Sequence, residues 1–486
     1  MLDIEAPPIP ADQMRRAGRD LLSLALMDAR NRTLRWASAN EEALGNSRWG
    51  LGAMAEPQPC DPPLWALGHL GWFQEFWIAR NLLRHQGERA DPKSTRLASI
   101  DPSADSCFDP QHAPFDVRWQ LQPPDLDATR QYLVATLETT LDLLEHAGSD
   151  DDALYFFRLA LFHEDRQNEV FATLSQTLGQ PAPWLPSPVA FAPREPLLFP
   201  ASTWTFGSSP GGFSFDNERP VHVEPVLEFE IDAQAVTWTQ YAEFVEDGAY
   251  DDARFWSPDG WAWVQREGRR SPRHVDQLRH GVLVQRFGQA VRVPMGQAAM
   301  HLSWFEADAW CRWAGRRLPT EVEWELAAHQ GASRGFRWGQ VWEWTATSFR
   351  PFDGFQPGPD LHHSQPAFGT HKVLRGASFA TSERMRHAKF RHFLRPERDD
   401  QFTGFRSCAT ARSRPPGRAA RSLCLDDGTH AAAARAGLRR TARPGRPAAP
   451  GGRRRGHARR ARPAARGGAR DGRPRRRHPR AAARRR

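Results

Sequence analysis

The chain has 486 residues and a formal net charge of +9, long enough for two or more domains. That charge is unevenly divided: residues 411–486 hold 25 Arg, no Lys and 3 Asp, a net of +22, and residues 1–410 hold 41 basic and 54 acidic residues, a net of −13. The part that can fold is acidic and offers no basic face for nucleic acid, and no run of about 18 apolar residues could span a membrane. The start, Met1-Leu2-Asp3-Ile4-Glu5, lacks the basic-then-apolar layout of a signal peptide. Five scattered cysteines (Cys60, Cys107, Cys311, Cys408, Cys424) form no spacing pattern and suit a reducing cytoplasm.

Residues 11–180 read as four amphipathic helices in an up-down bundle. Met14–Met27 is leucine-rich. Residues 64–83 form the second helix, and a long irregular crossover spans 88–124. A third helix starts at Asp125 or Asp127 as N-cap and continues through Leu133, Leu137, Leu141 and Leu144. The fourth covers 152–178 and stops at Gly179. Seven prolines between Pro181 and Pro200 exclude helix and mark an interdomain linker over 181–200. Residues 201–410 are rich in tryptophan and turns, with helical periodicity only at Trp304–Ala314 and Glu321–His329. They read as an α+β domain with much irregular structure. Residues 411–486 contain no aromatic, Val, Ile or Met, so they cannot bury a core. Of two readings, a basic arm or GC-rich coding sequence read out of frame, the second is favoured, and the tail is set aside from the chemistry.

Two of the helices each place a histidine on an apolar face. From His69, positions three, four, seven and eight onward are Trp72, Phe73, Phe76 and Trp77. The face of His163 also holds Phe156, Leu159, Ala160, Gln167, Val170 and Phe171. That spacing turns both imidazoles inward. A lone inward histidine is commonly a hydrogen-bonded core residue, but a second one on another helix, with Gln167 a turn away, points to a metal site. Two inward histidines on neighbouring helices can bind a metal ion inside a bundle. Gln167 offers an amide oxygen, a weaker donor than imidazole; the alternative is that it stays outside the coordination sphere. Glu164 points off the apolar face and is expected to be solvated.

The later half carries a motif series: Arg219-Pro220-Val221-His222-Val223, Val236-Thr237-Trp238-Thr239-Gln240-Tyr241, Met300-His301-Leu302-Ser303-Trp304, Arg317-Leu318-Pro319-Thr320-Glu321, Val341-Trp342-Glu343-Trp344-Thr345, Leu374-Arg375-Gly376-Ala377-Ser378 and Gly404-Phe405-Arg406. This series resembles the formylglycine-generating-enzyme/sulfatase-modifying-factor domain, which implies a C-type-lectin-like α+β fold for 201–410. Formylglycine-generating enzymes use a cysteine pair just after the Arg-Gly-Gly-Ser-like motif; Ser378–Arg386 contains none, which rules out copper chemistry of that type.

The histidine helices resemble the DinB-like four-helix bundle that precedes this domain in hercynine oxygenases and their selenium relatives. The resemblance implies Fe(2+) as cofactor, with His69 and His163 matching two of three histidine ligands and Gln167 standing where the family has the third. The wording of Gly68–Gln74 and Trp256–Trp263 looks closest to the selenoneine synthase branch. That implies an enzyme joining hercynine to a selenosugar with O2; the alternative is the C–S bond-forming hercynine oxygenase with a thiol donor. A reading of another class is a metal-free binding or scaffold protein that has lost its third ligand. Trp342, with Glu343 as polar partner, is expected to bind substrate, since tryptophan faces hold trimethylammonium groups. Arg391, His392 and Arg395 resemble a stretch near the family's cleft, and Arg391 and Arg395 are also expected to bind substrate. The family's tyrosine near the iron has no evident counterpart, and no catalytic acid is assigned: the four tyrosines are Tyr132, Tyr155, Tyr241 and Tyr250.

Overall fold

The structure is a computed structural model that describes residues 10–44 and 61–410; the tail 411–486 lies outside the described residues. A short helix, α1 (Ala11–Arg15), precedes α2 (Arg19–Leu44), which is longer than the leucine pattern indicates. Helix α3 (Pro63–Gln74) carries His69 and continues as a π-helical turn over Glu75–Ala79. The crossover holds a short α-helix, α4 (Ala104–Phe108), and a 3-10 turn, Arg118–Gln120. Helix α5 (Leu126–Glu145) starts where Asp125 accepts a hydrogen bond from the Ala128 amide. Helix α6 (Asp151–Leu178) is capped in the same way by Asp150 and ends at Gly179, whose φ of 69° is the left-handed stop that glycine adopts freely.

One guanidinium ties the four long helices together. Arg30 of α2 pairs with Glu164 of α6 at 2.8 Å, donates to Gln74 of α3 at 2.5 Å, and donates to the Leu133 carbonyl of α5. Glu164 also accepts from Thr33 at 2.7 Å, so it is buried and not solvated as its helix face suggests. The apolar stripe of α6 marks only one of its packed sides; another is packed through charge. In the π-helical turn, the Glu75 carboxylate accepts from Tyr132 of α5 at 2.7 Å and from Ser99 at 2.6 Å.

Residues 181–196 run without helix or strand, and Leu197–Phe199 is already a strand. Beyond it two four-stranded sheets form. The first runs Leu197–Phe199, Phe229–Ile231, Cys408–Ala409, Arg316–Arg317. The second runs His392–Leu394, Lys372–Gly376, Trp342–Ser348, Thr403–Phe405, with the last pair parallel. The two predicted helices are present as α9 (Trp304–Trp313) and α10 (Glu321–Gln330), each opened by a capping box, from Ser303 and Thr320. Two further helices, α7 (Trp238–Glu246) and α8 (Pro258–Glu267), correct the expectation of scarce helix here. Their start signals are in the sequence, a Thr237–Gln240 capping box and Ser257 before Pro258, but each helix is only nine or ten residues long. No helix of the described residues is long and apolar enough to cross a membrane.

The helices and the second sheet are joined through α6. Asp165, fully buried, takes a two-pronged ion pair from Arg384 at 2.6 and 2.7 Å, and Arg384 reaches Asp28 of α2 at 2.7 Å. Removing one partner of a buried pair leaves an uncompensated charge, at a cost of about 3–5 kcal/mol. Arg384→Ala should therefore lower the unfolding free energy by about that amount in urea titration.

Candidate metal centre and cavity

The His69 and His163 rings lie edge to face with centroids 5.4 Å apart and planes at 68°. His69 stacks between Trp65, at 4.8 Å, and Trp72, at 5.5 Å; His163 lies flat on Phe73 at 3.7 Å. Nδ1 of His69 sits 2.9 Å from the Phe108 carbonyl oxygen. A carbonyl can only accept, so Nδ1 carries the proton and Nε2 keeps its lone pair for another partner. Burial pushes the His69 pKa down to about 4, and burial together with His69 itself holds His163 well below its usual value. Both rings are neutral at pH 7, the form that ligates a metal.

One helical face of α6, stepping three or four residues at a time, presents His163, Arg166, Gln167 and Val170 to a cavity of about 120 Å³. Trp342, Phe390 and His392 form its opposite wall. Among the described residues no three His, Cys, Asp or Glu side chains gather to hold a metal. The available donor set is two neutral imidazoles with the amide of Gln167 on the same face. Imidazole nitrogen and amide oxygen suit iron(II), and with metal–nitrogen bonds of about 2 Å two rings on one ion come to lie at roughly the separation seen here.

Trp342 lines the cavity, and its Nε1–H donates to Glu169 of α6 at 2.8 Å. Glu169, buried, also accepts from Ser378 at 2.5 Å and Thr381 at 2.7 Å. Successive residues of a strand point to opposite faces, so Glu343 turns away from the cavity. There it pairs with Arg406 at 2.7 Å and accepts from Trp324 at 2.7 Å. Arg391 is also committed elsewhere, gripping Glu321 at 2.8 and 2.9 Å and the Asn217 carbonyl at 2.6 Å. Arg395 is exposed and outside the cavity. None of the four tyrosines lines it: Tyr132 bonds Glu75, and Tyr241 and Tyr250 form a hydroxyl chain to Glu306.

Of the stretch Arg391–Arg395, only His392 lines the cavity. Arg166, Glu169 and His363 were not singled out from sequence. The first two are readable from the same helical spacing as His163; His363 sits on a loop segment with no periodic signal.

Two comparisons bear on this arrangement. Residues 187–340 and 337–411 match the Sulfatase-modifying factor enzyme 1-like domain. The chain is 30% identical over 449 residues to a hercynine oxygenase of Mycolicibacterium smegmatis, covering 80% of this chain and 98% of that protein. This chain belongs to the hercynine oxygenase family. A hercynine oxygenase of Mycolicibacterium thermoresistibile is 29% identical over 443 residues, covering 79% of this chain and 94% of its own length. A formylglycine-generating enzyme of Streptomyces coelicolor is 27% identical over 284 residues, covering only 40% of this chain. Likeness to the hercynine oxygenases thus covers about twice as much of the chain as likeness to the formylglycine-generating enzyme.

The buried imidazoles give this hercynine oxygenase family member a defined acid response. An imidazole that titrates near pH 4 when folded and near 6.5 when unfolded binds fewer protons in the native state between those values. Stability should therefore fall as pH drops from about 6.5 to about 4, by at most about 3 kcal/mol from His69. Denaturation of metal-free protein across that range should show this slope, and His69→Phe should flatten part of it.

Proposed function

We propose that this protein is a non-haem iron(II) oxygenase that acts on hercynine and joins its imidazole carbon to a chalcogen donor in the presence of O2. The observation that carries the reading is the pair of neutral imidazoles on neighbouring helices, 5.4 Å apart, beside a cavity with a tryptophan wall. His69, His163 and Gln167 would hold the iron, which supplies O2 activation when bound. The Phe108 carbonyl fixes the tautomer of His69, and stacking on Phe73 fixes the plane of His163. Trp342 and Phe390, 5.6 Å apart, offer π-faces for a trimethylammonium group, each contact worth about 0.5–2 kcal/mol. Glu169 holds the indole of Trp342 in that orientation.

For the donor, the sequence wording of Gly68–Gln74 and Trp256–Trp263 supports the selenium of a selenosugar. The alternative is sulfur, from a thiol such as γ-glutamylcysteine or cysteine, and likeness to hercynine oxygenases supports it. Anaerobic Fe(II) titration should give about one iron per chain, and His163→Ala should abolish binding. Full iron occupancy in that variant would sink the metal assignment. Gln167→His should tighten Fe(II) binding, since imidazole is the better donor; unchanged affinity would place Gln167 outside the coordination sphere. Mass spectrometry after incubating hercynine and O2 with each donor should show a C–Se product with the selenosugar. Product only with the thiol would establish the sulfur reading, and no product with either would overturn the proposed activity.

A further inference from the structure

Arg166 stands on the cavity face of α6 between His163 and Val170, yet it has no acidic partner. Its Nη1 donates to Nδ1 of His363 at 2.9 Å, and among the described residues no carboxylate comes within ion-pair distance of it. Asp360, Asp216 and Glu169 act on it only at longer range. Each of these is already engaged. Glu169 accepts from Trp342, Ser378 and Thr381, Asp216 accepts from Ser364 at 2.5 Å, and Asp360 accepts from the His362 amide at 3.3 Å.

The partner of Arg166 is held neutral by its own geometry. A guanidinium has no lone pair to offer, so Nδ1 of His363 must be the acceptor and cannot carry a proton while the contact lasts. Phe215 stacks on the imidazole at 4.9 Å, and Phe393 meets it edge-on at 5.7 Å, which fixes the ring. The His363 contact therefore aims the guanidinium without cancelling its charge. His163 and Gln167, its neighbours on the same face, are neutral as well. A half-buried cation beside a cavity, given a neutral acceptor where a carboxylate would have been the stabilising choice, is built to receive an anion from outside the chain.

We infer that Arg166 is the anchor for a carboxylate of the bound substrate and that His363 is its positioning residue. The inference rests on the proposed hercynine reading for the identity of the ligand, not for the existence of the anion site. A substrate with an imidazole, a trimethylammonium group and a carboxylate would then meet three different parts of the cavity wall: His163, the Trp342–Phe390 faces and Arg166. The carboxylate could equally belong to a γ-glutamyl thiol donor; a neutral selenosugar would leave Arg166 to hercynine alone.

Equilibrium titration of the full chain without metal separates these cases. The probes are hercynine, its counterpart lacking the carboxylate, and γ-glutamylcysteine, and the proteins are wild type, Arg166→Gln and His363→Asp. Wild type should bind hercynine at least about tenfold more tightly than the decarboxylated counterpart, as a charge-assisted two-pronged contact of 1.4 kcal/mol or more would give. Arg166→Gln should erase that preference while leaving the affinity for the counterpart unchanged. His363→Asp should erase it too, because the new carboxylate would neutralise Arg166. In a merely structural role that change would pair the cation, keep the fold and leave the preference intact. Because the cation survives in His363→Asp, this arm stays informative even if Arg166→Gln does not fold. Loss on substitution confined to γ-glutamylcysteine would support the anion site with the donor as its source. A preference that persists in both variants, or is absent in wild type for every probe, overturns the inference. Hercynine binding with no preference, together with γ-glutamylcysteine binding that neither substitution changes, would do so while leaving the proposed function standing. Binding of γ-glutamylcysteine alone, lost in both variants, would remove hercynine and keep the anchor.

Discussion

The carboxylate of Glu169 is the contact on which the cavity depends. It lies buried on α6, six residues beyond His163, and takes hydrogen bonds from an indole and two hydroxyls of the α+β half. An unpaired carboxylate there would carry a large desolvation penalty, so the three donors are obligatory for the buried group. Burial pushes its pKa up while the hydrogen bonds pull it down. Because Trp342 and Ser378 belong to different segments of the chain, one residue of the helix fixes the spacing between the histidine face and the opposite wall. Asp165 and Arg384 repeat the arrangement one turn earlier on the same side of the helix.

This makes α6 a rod with three differently committed sides. Glu164 faces Arg30 and the other long helices, Asp165 and Glu169, one turn apart, face Arg384 and the sheet, and His163, Arg166, Gln167 and Val170 face the cavity. A helix so charged would not be stable alone as a buried element; each charge is answered by a specific partner far away in sequence. A periodicity argument sees the apolar residues and the histidine, and reads the acidic ones as solvated. That is why Glu164 looked exposed and why Glu169 drew no notice.

Much of the helical half was legible. Asp125 and Gly179 mark helix ends because a capping carboxylate and a left-handed glycine leave local signals. The inward histidines were legible from spacing alone. The α+β half was legible as a motif series, but not in the orientation of its side chains. Glu343 sits beside Trp342 in sequence and on the opposite face of the sheet in space, paired with Arg406. Arg391 likewise serves Glu321 and the Asn217 carbonyl. Cations and acids in such a segment serve the lectin-like core as readily as a substrate, and only tertiary pairing distinguishes the two. His363 comes from an irregular loop and could be found only by its contact with Arg166.

The π-helical turn after Gln74 gives α3 a change of phase. A π turn accommodates an extra residue without breaking the helix, and one residue corresponds to about 100° of rotation. Upstream of it His69 and Phe73 meet α6; downstream the Glu75 carboxylate meets Tyr132 and Arg80 meets Asp105 at 2.7 Å. A single regular helix would have to satisfy both sets of partners with one fixed periodicity. The widened turn releases that coupling, so the segment leading into the crossover can be re-registered without re-aiming the imidazole that precedes it. The half of this helix that carries His69 is thereby insulated from the length of the loop that follows.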